Sequence, residues 1–331
     1  MKRYDRQEKF KGIGSRGQTS ITEKTVGIIG IGALGTHTAN TLARAGVKKL
    51  ILVDRDYVEI SNLQRQTLFT EQHATDLTPK VIAARDELLR IRADLQIETY
   101  IEHCDAPLLE AAFSACDLLI DGSDNFDVRL TLNDFSYRYQ IPWIYGACVE
   151  STYAACPFIP DVTPCFRCVM GRLPVMNRTC DTVGVIEPAV SLATSFQAMY
   201  ALKILAEEPV DPRLIFGDVW TLEHSAMKFS RMSEMICETC GANPTYPHLE
   251  TRTIQTMLCG RDTVQFASPV TEFTQLTTFL STLNINYQET PYFVRFFVND
   301  KPVIWFKGGR LLVHDVKTVA EGQKVYYQLF G

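Results

Sequence analysis

The stretch V-G-I-I-G-I-G-A-L-G (Val26–Gly35), then L-I-L-V-D ending at Asp54 and S-N-L-Q-R-Q (Ser61–Gln66), decides the fold. Val26–Ile31 is an apolar run of the kind a buried parallel strand needs, and Ala33–Ala45 carries a helical pattern. Gly30, Gly32 and Gly35 therefore lie between a strand and a helix. In that setting G-x-G-x-x-G reads as a phosphate-binding turn, because the unpaired amides of a helix N-terminus attract anions. Asp54 ends the next strand, where such folds place a carboxylate on a ribose hydroxyl. A nicotinamide-binding fold would account for these residues, but not for the cluster downstream of Asp54. Asn62, Arg65 and later Lys80 add an amide and two cations near the same nucleotide. That much positive charge suits a triphosphate, which has more negative charge to hold and shield. ATP is the expected nucleotide.

Further apolar runs at Leu50–Val53, Leu118–Ile120 and Trp143–Tyr145 alternate with helical patterns at Ala33–Ala45 and Lys80–Ile91. This alternation predicts an α/β fold with a Rossmann-like, doubly wound, mostly parallel sheet. Thr78 and Pro79 suit the N-cap and first-turn positions of the second helix. The character turns antiparallel around Thr152–Phe158. Pro188 then opens a long helix to about Ala206, with Val190, Ala193, Phe196, Tyr200 and Ile204 along one face, and Pro209 and Pro212 stop it. After Thr251 the composition changes. Short strands are expected at Val264–Ala267, Tyr292–Val298, Val303–Phe306 and Arg310–His314, with turn chemistry at Asn299-Asp300 and Gly308-Gly309. Helical patterns at Thr271–Leu283 and Lys317–Leu329 would cover one face. The expected domains are therefore 1–250, which carries the chemistry, and a small α+β unit, 251–331, in which none is visible.

With 331 residues and 46% hydrophobic content, the chain has enough material for both. A net charge of −5 gives no reason to expect nucleic-acid binding. No apolar run reaches membrane-spanning length and the charged N-terminus has no signal-peptide core, so a cytoplasmic protein with no membrane partner is expected. Ten cysteines in such a setting point to metal ligation or sulfur chemistry rather than disulfides.

The cysteine spacing supports this. Cys165 and Cys168 form one C-x-x-C, Cys237 and Cys240 another, and four thiolates suit a closed, structural zinc site. Four buried thiols or two redox pairs are the alternatives. D-G-S-D-N (Asp121–Asn125) follows the strand Leu118–Ile120, where open α/β sheets bind ligands. Asp124 is the candidate magnesium ligand, since a cation bridging phosphates takes only one or two protein carboxylates. The competing reading has Asp124 capping the helix that starts near Phe126. Cys180, in N-R-T-C-D-T, belongs to neither pair; Arg178 nearby would favour its thiolate. Cys104, Cys116, Cys148, Cys156 and Cys259 read as packing residues.

At this point the chain resembles the ThiF/MoeB/HesA family of ubiquitin-activating-enzyme-like adenylyltransferases. The resemblance runs over roughly residues 3 to 245. It rests on R-Y-D-R-Q, the glycine loop, D-R-D-Y-V-E-I-S-N-L-Q-R-Q, Pro79-Lys80, D-G-S-D-N-F, both C-x-x-C pairs and T-C-D-T-V-G-V-I-E-P. The appendage after Thr251 looks like that of the longer bacillus-type members of thiamine biosynthesis.

The resemblance implies a substrate pair of Mg-ATP and a ubiquitin-fold sulfur carrier, ThiS-like or MoaD-like, with a C-terminal Gly-Gly. Its terminal carboxylate would attack the α-phosphate, giving an acyl-adenylate and pyrophosphate. A sulfurtransferase partner would then form the thiocarboxylate used for thiazole or molybdopterin. Carried over by motif, Gly30, Gly32 and Gly35 line the phosphate turn and Asp54 holds the ribose. Asn62, Arg65 and Lys80 contact phosphates, and Asp124 positions magnesium. Arg6 matches an arginine that reaches the neighbouring subunit's ATP, which implies a homodimer. Cys180 matches a cysteine that thiamine-type members can link to the carrier through sulfur. Two rivals remain open: a nicotinamide-dependent oxidoreductase, and a non-catalytic zinc-stabilised scaffold for a ubiquitin-fold partner.

Overall fold

A computed structural model describes residues 3–170, 184–232, 235–250, 256–258 and 262–331. The chain divides into two compact units, Met1–Thr251 and Arg252–Gly331.

The first unit is built on an eight-stranded sheet in the order β3-β2-β1-β4-β5-β6-β7-β8. Its strands are β1 (Thr25–Ile29), β2 (Lys49–Val53), β3 (Gln96–Tyr100), β4 (Leu118–Asp121), β5 (Trp143–Val149), β6 (Thr152–Phe158), β7 (Arg213–Asp218) and β8 (Glu223–Lys228). The strands β3-β2-β1-β4-β5 run parallel, and β6, β7 and β8 are antiparallel additions. Nearly every residue of β1, β2 and β4 is buried, the pattern of parallel strands covered on both faces. β1 stops at Ile29, two residues short of the apolar run, because Gly30 turns to φ +86°. Helices Ala33–Ala45 and Lys80–Ile91 form over the expected residues.

Two expectations need correction. Pro79, not Thr78, occupies the N-cap of the Lys80 helix, and the Thr78 carbonyl instead accepts from Val58 N at 2.9 Å. On the long helix, Glu187–Leu205, Val190, Ala193 and Tyr200 of the expected face are buried, but Phe196 and Ile204 are only half-buried, and Thr194, Gln197, Ala198 and Ala201 are buried as well. Gln197 makes the difference. Its Nε2 donates to the Asp121 and Ile144 carbonyls at 2.8 and 3.3 Å, and Thr38 Oγ1 donates to its Oε1 at 3.2 Å. A buried polar group with every partner satisfied sits in the core as well as a leucine would. The strands β3, β7 and β8 have no counterpart among the expected elements; β8 is exposed along its whole length, whereas β7 buries Leu214 and Ile215.

The second unit is an antiparallel sheet in the order β11-β12-β13-β14-β10-β9. Its strands are β9 (Thr256–Leu258), β10 (Thr263–Ala267), β11 (Tyr287–Glu289), β12 (Phe293–Val298), β13 (Lys301–Phe306) and β14 (Arg310–Val313). Alternate residues of β12 and β13, among them Val294, Phe296, Val303 and Trp305, pack with Leu276, Leu280, Val325 and Leu329 of helices Phe273–Thr282 and Val319–Phe330. Both turns form where expected. Asn299 and Asp300 have φ of 48° and 61°, and Gly308 and Gly309 have 94° and 91°. Among the described residues no helix is long and apolar enough to cross a membrane.

Candidate active site

The strand order reverses between β1 and β4, and the crevice outside their C-terminal ends is where open α/β sheets take ligands. Two loops meet there. The glycine turn leaves β1, the D-G-S-D-N loop leaves β4, and Gly122 N donates to the Ile29 carbonyl at 2.7 Å.

The three glycines of the turn do different work. A Cβ on Gly35 would lie 2.0 Å from the Gly30 carbonyl oxygen, and one on Gly30 would lie 2.7 Å from that of Gly122. These two are required by backbone packing. A Cβ on Gly32 would meet nothing closer than Gln66 Nε2 at 3.9 Å. The space over Gly32 is open, and no side chain caps the helix that starts beside it. An open approach to uncapped helix amides is what a phosphate needs.

Asp54 anchors this turn. One carboxylate oxygen accepts from Ile31 N at 2.7 Å and the other from Asp56 N at 2.8 Å. Burial raises its pKa, against the opposing pull of Lys80. Each oxygen keeps a lone pair for a further donor. Lys80 is buried rather than solvated, with its ammonium 3.4 Å from Asp56. The backbone turns it inward, since Lys80 N donates to the Asp56 carbonyl at 2.9 Å and draws the helix start against the segment after β2. Asn62 is buried and closes the turn Ile60–Asn62, its Oδ1 accepting from Glu59 N at 3.1 Å. Arg65 donates to the Ser61 carbonyl at 3.0 Å. Gln66 ends the S-N-L-Q-R-Q stretch, yet sequence alone gives no reason to single it out. It is buried, its Oε1 has no hydrogen-bond partner, and its amide is the neighbour nearest to Gly32.

On the β4 side, Asp121 is fully buried and accepts from Ser123 N at 2.9 Å, Ser123 Oγ at 2.6 Å and Arg129 Nε at 2.8 Å. Arg129 also donates to the Ser123 and Gly146 carbonyls at 2.7 and 3.1 Å, and lies 4.9 Å from the Tyr145 ring centre. Burial works against its charge, but the Asp121 carboxylate more than offsets this and its pKa is raised. This clamp is invisible in the sequence, where an arginine eight residues past an aspartate carries no signal. The helix Phe126–Tyr139 is capped by Asn125, whose Oδ1 accepts from Asp127 N at 2.8 Å and Val128 N at 3.1 Å. The reading in which Asp124 is the cap is therefore wrong. Asp124 is exposed at the loop's tip, and its charge reaches Arg129.

The two cysteine pairs come together. The four Sγ atoms of Cys165, Cys168, Cys237 and Cys240 all lie within 4.8 Å of one another. Contacts of 3.8 Å (Cys165–Cys168), 3.5 Å (Cys165–Cys237) and 3.6 Å (Cys168–Cys240) are far too long for disulfides. A tetrahedron with zinc–sulfur bonds of about 2.3 Å has edges of about 3.8 Å, so the donor set fits that ion. Hydrogen bonding among the sulfurs lowers the pKa of Cys240 and, together with burial, raises that of Cys165, so the four thiols share protons that a bound metal ion would displace. Thr239 N donates to Cys237 Sγ at 3.4 Å. Among the described residues no cysteine is part of a disulfide, and Cys104, Cys116, Cys148 and Cys156 are buried.

Arg6 is exposed on the short helix Asp5–Glu8. Cys180 lies outside the described residues.

A family model described as the ThiF family matches residues 4–239. The sulfur carrier protein ThiS adenylyltransferase of Bacillus subtilis is 36% identical, over 99% of this chain and 99% of that protein. The molybdopterin-synthase adenylyltransferase of Escherichia coli is 36% identical, over 73% of this chain and 96% of that protein. A crystal structure of E. coli MccB with ATP superposes with a TM-score of 0.63 at 21% identity, over 73% of this chain and 75% of that one, and likeness at that level speaks to the fold.

Proposed function

The chain belongs to the ThiF family, and from that premise we propose that it adenylates the C-terminal Gly-Gly carboxylate of a ubiquitin-fold sulfur carrier with ATP. One observation carries the reading. The open, uncapped glycine turn and the D-G-S-D-N loop lie side by side at the sheet's switch point, with Lys80 buried beside Asp54 and Asp56.

The chemistry asks little of the protein beyond alignment and charge. A carrier carboxylate oxygen bonds to the α-phosphorus while the bond to pyrophosphate breaks. No general base is needed, because the nucleophile is already an anion. The Gly32 end of the helix, Arg65, Lys80 and Asn62 would hold the phosphates, and Asp54 the ribose. Asp124, exposed and not engaged in capping, would hold a magnesium ion, which supplies charge neutralisation on the phosphates. The four cysteines would hold a structural zinc with no open position. Arg6 would reach the partner subunit's nucleotide in a homodimer, and Cys180 would take the carrier through sulfur.

The match to the B. subtilis ThiS adenylyltransferase runs the whole length, whereas the molybdopterin-synthase relative spans 73% of the chain. This favours a thiamine-type carrier, with a sulfurtransferase completing the thiocarboxylate, in a cytoplasmic setting. ATP–pyrophosphate exchange with purified thiamine-type and molybdopterin-type carriers tests the proposal. Exchange is expected with the first, and only when its terminal glycine is present. No exchange with either carrier, from folded protein, would refute it.

A further inference from the structure

We propose that Asp134 is a positioning residue that holds the second cysteine knuckle in register with the first. The inference rests on the reading of the four cysteines as one metal centre.

The two knuckles are 72 residues apart in the chain and need something to align them. The residues around Cys237 and Cys240 form turns, with no helix or strand to set their place. Their fixed reference is the helix Phe126–Tyr139, through two consecutive residues. Asn133 Oδ1 accepts from Phe166 N at 2.8 Å, next to Cys165, while its Nδ2 donates to Thr239 Oγ1 at 3.3 Å, between Cys237 and Cys240. Asp134 closes the arrangement. Its carboxylate is 1% exposed and takes three bonds from the second knuckle's side: Thr239 Oγ1 at 2.5 Å, His248 N at 2.9 Å and His248 Nδ1 at 3.1 Å.

The chemistry of Thr239 explains why an anion is needed. Its hydroxyl proton goes to Asp134, which leaves its oxygen free to accept from Asn133, and its N–H goes to Cys237 Sγ. One threonine thus connects helix, knuckle and sulfur, with every bond directed. An asparagine in place of Asp134 would turn an amide donor toward one of these donors, and a donor facing a donor in a buried site must give way. Groups that orient metal ligands in this way typically change metal affinity by 10- to 100-fold when altered.

Asp134→Asn, with Thr239→Val as a second variant that leaves the carboxylate in place, provides the test. Zinc content is measured in each purified protein, with the rate of zinc transfer to a chelator. Maleimide labelling of individual cysteines is followed by mass spectrometry. Asp134→Asn is expected to speed labelling of Cys237 and Cys240 roughly 10- to 100-fold, to speed zinc transfer in parallel, and to leave buried Cys156 unchanged. Thr239→Val is expected to act the same way, more weakly. If Cys156 accelerates equally with Cys237 and Cys240, Asp134 only supports global stability and the proposal fails. Unchanged labelling of Cys237 and Cys240 also overturns it. Wild-type protein without zinc would refute the metal reading, while the cysteine-by-cysteine rates would still decide the role of Asp134.

Discussion

Replacing Gly32 and Gly35 one at a time by alanine separates the two uses of glycine in this turn. At Gly35 the new Cβ would sit 2.0 Å from the Gly30 carbonyl oxygen, against about 3.4 Å for ordinary contact. The obstacle is backbone, so β1 and the helix Ala33–Ala45 would have to part by more than an ångström. Overpacking of a well-filled site costs about 1–3 kcal/mol and sometimes more, and a fixed backbone atom puts this case at about 3 kcal/mol or above. For a unit of this size that lowers Tm by roughly 6–12 °C. At Gly32 the nearest atom is 3.9 Å away, at the end of the Gln66 side chain. Losing glycine at an N-cap costs under about 1 kcal/mol, so Tm should move by no more than roughly 4 °C. A methyl there would nevertheless stand in the approach to the helix amides, and ATP binding should weaken by at least about tenfold, or 1.4 kcal/mol. Thermal unfolding and ATP titration calorimetry on both variants decide the matter. Wild-type ATP affinity in Gly32→Ala would refute the placement of phosphate over this turn, and wild-type Tm in Gly35→Ala would refute the packing of the turn itself.

Asp124→Ala should leave Tm unchanged, because Asn125 is the cap, while adenylation falls by ~100-fold or more; near-normal turnover would remove the metal role. Asn125→Ala should do the reverse to stability, costing about 1 kcal/mol in a denaturant melt through loss of the cap. Arg129→Leu leaves Asp121 buried without its ion partner and should destabilise the first unit by about 3–5 kcal/mol; a loss below about 1 kcal/mol would show that the clamp does not matter. Cys237→Ser should lower both Tm and zinc content, and a full zinc complement in that variant would rule out the four-sulfur site.

Periodicity and glycine chemistry make much of the fold readable, because a parallel sheet demands continuous apolar strands such as Leu50–Val53 and one turn geometry between β1 and its helix. Of the strands that sequence does not reveal, β3 and β8 are largely half-buried or exposed and carry little apolar signature, while the apolar part of β7, Leu214–Phe216, is only three residues long and cannot announce a strand by periodicity. The helix boundary shifts at Pro79 because the Thr78 carbonyl pairs with Val58, a contact between segments 20 residues apart in the chain that local cap preference cannot register. In the site, residues with special chemistry at fixed spacing are legible: the glycines, Asp54 and both cysteine pairs. Asp121–Arg129, Gln66, Gln197 and Asp134 are not. Each is an ordinary polar residue made important by burial, and burial is decided by distant segments.

Direct detection of the intermediate tests the account most squarely: the intact mass of a thiamine-type carrier after incubation with this protein, ATP and magnesium, with pyrophosphatase present. The expected result is a carrier heavier by one AMP, attached at its terminal glycine and absent when that glycine is deleted. A carrier of unchanged mass, from protein that binds ATP and carries its metal, would contradict the assignment of this chain as a carrier adenylyltransferase.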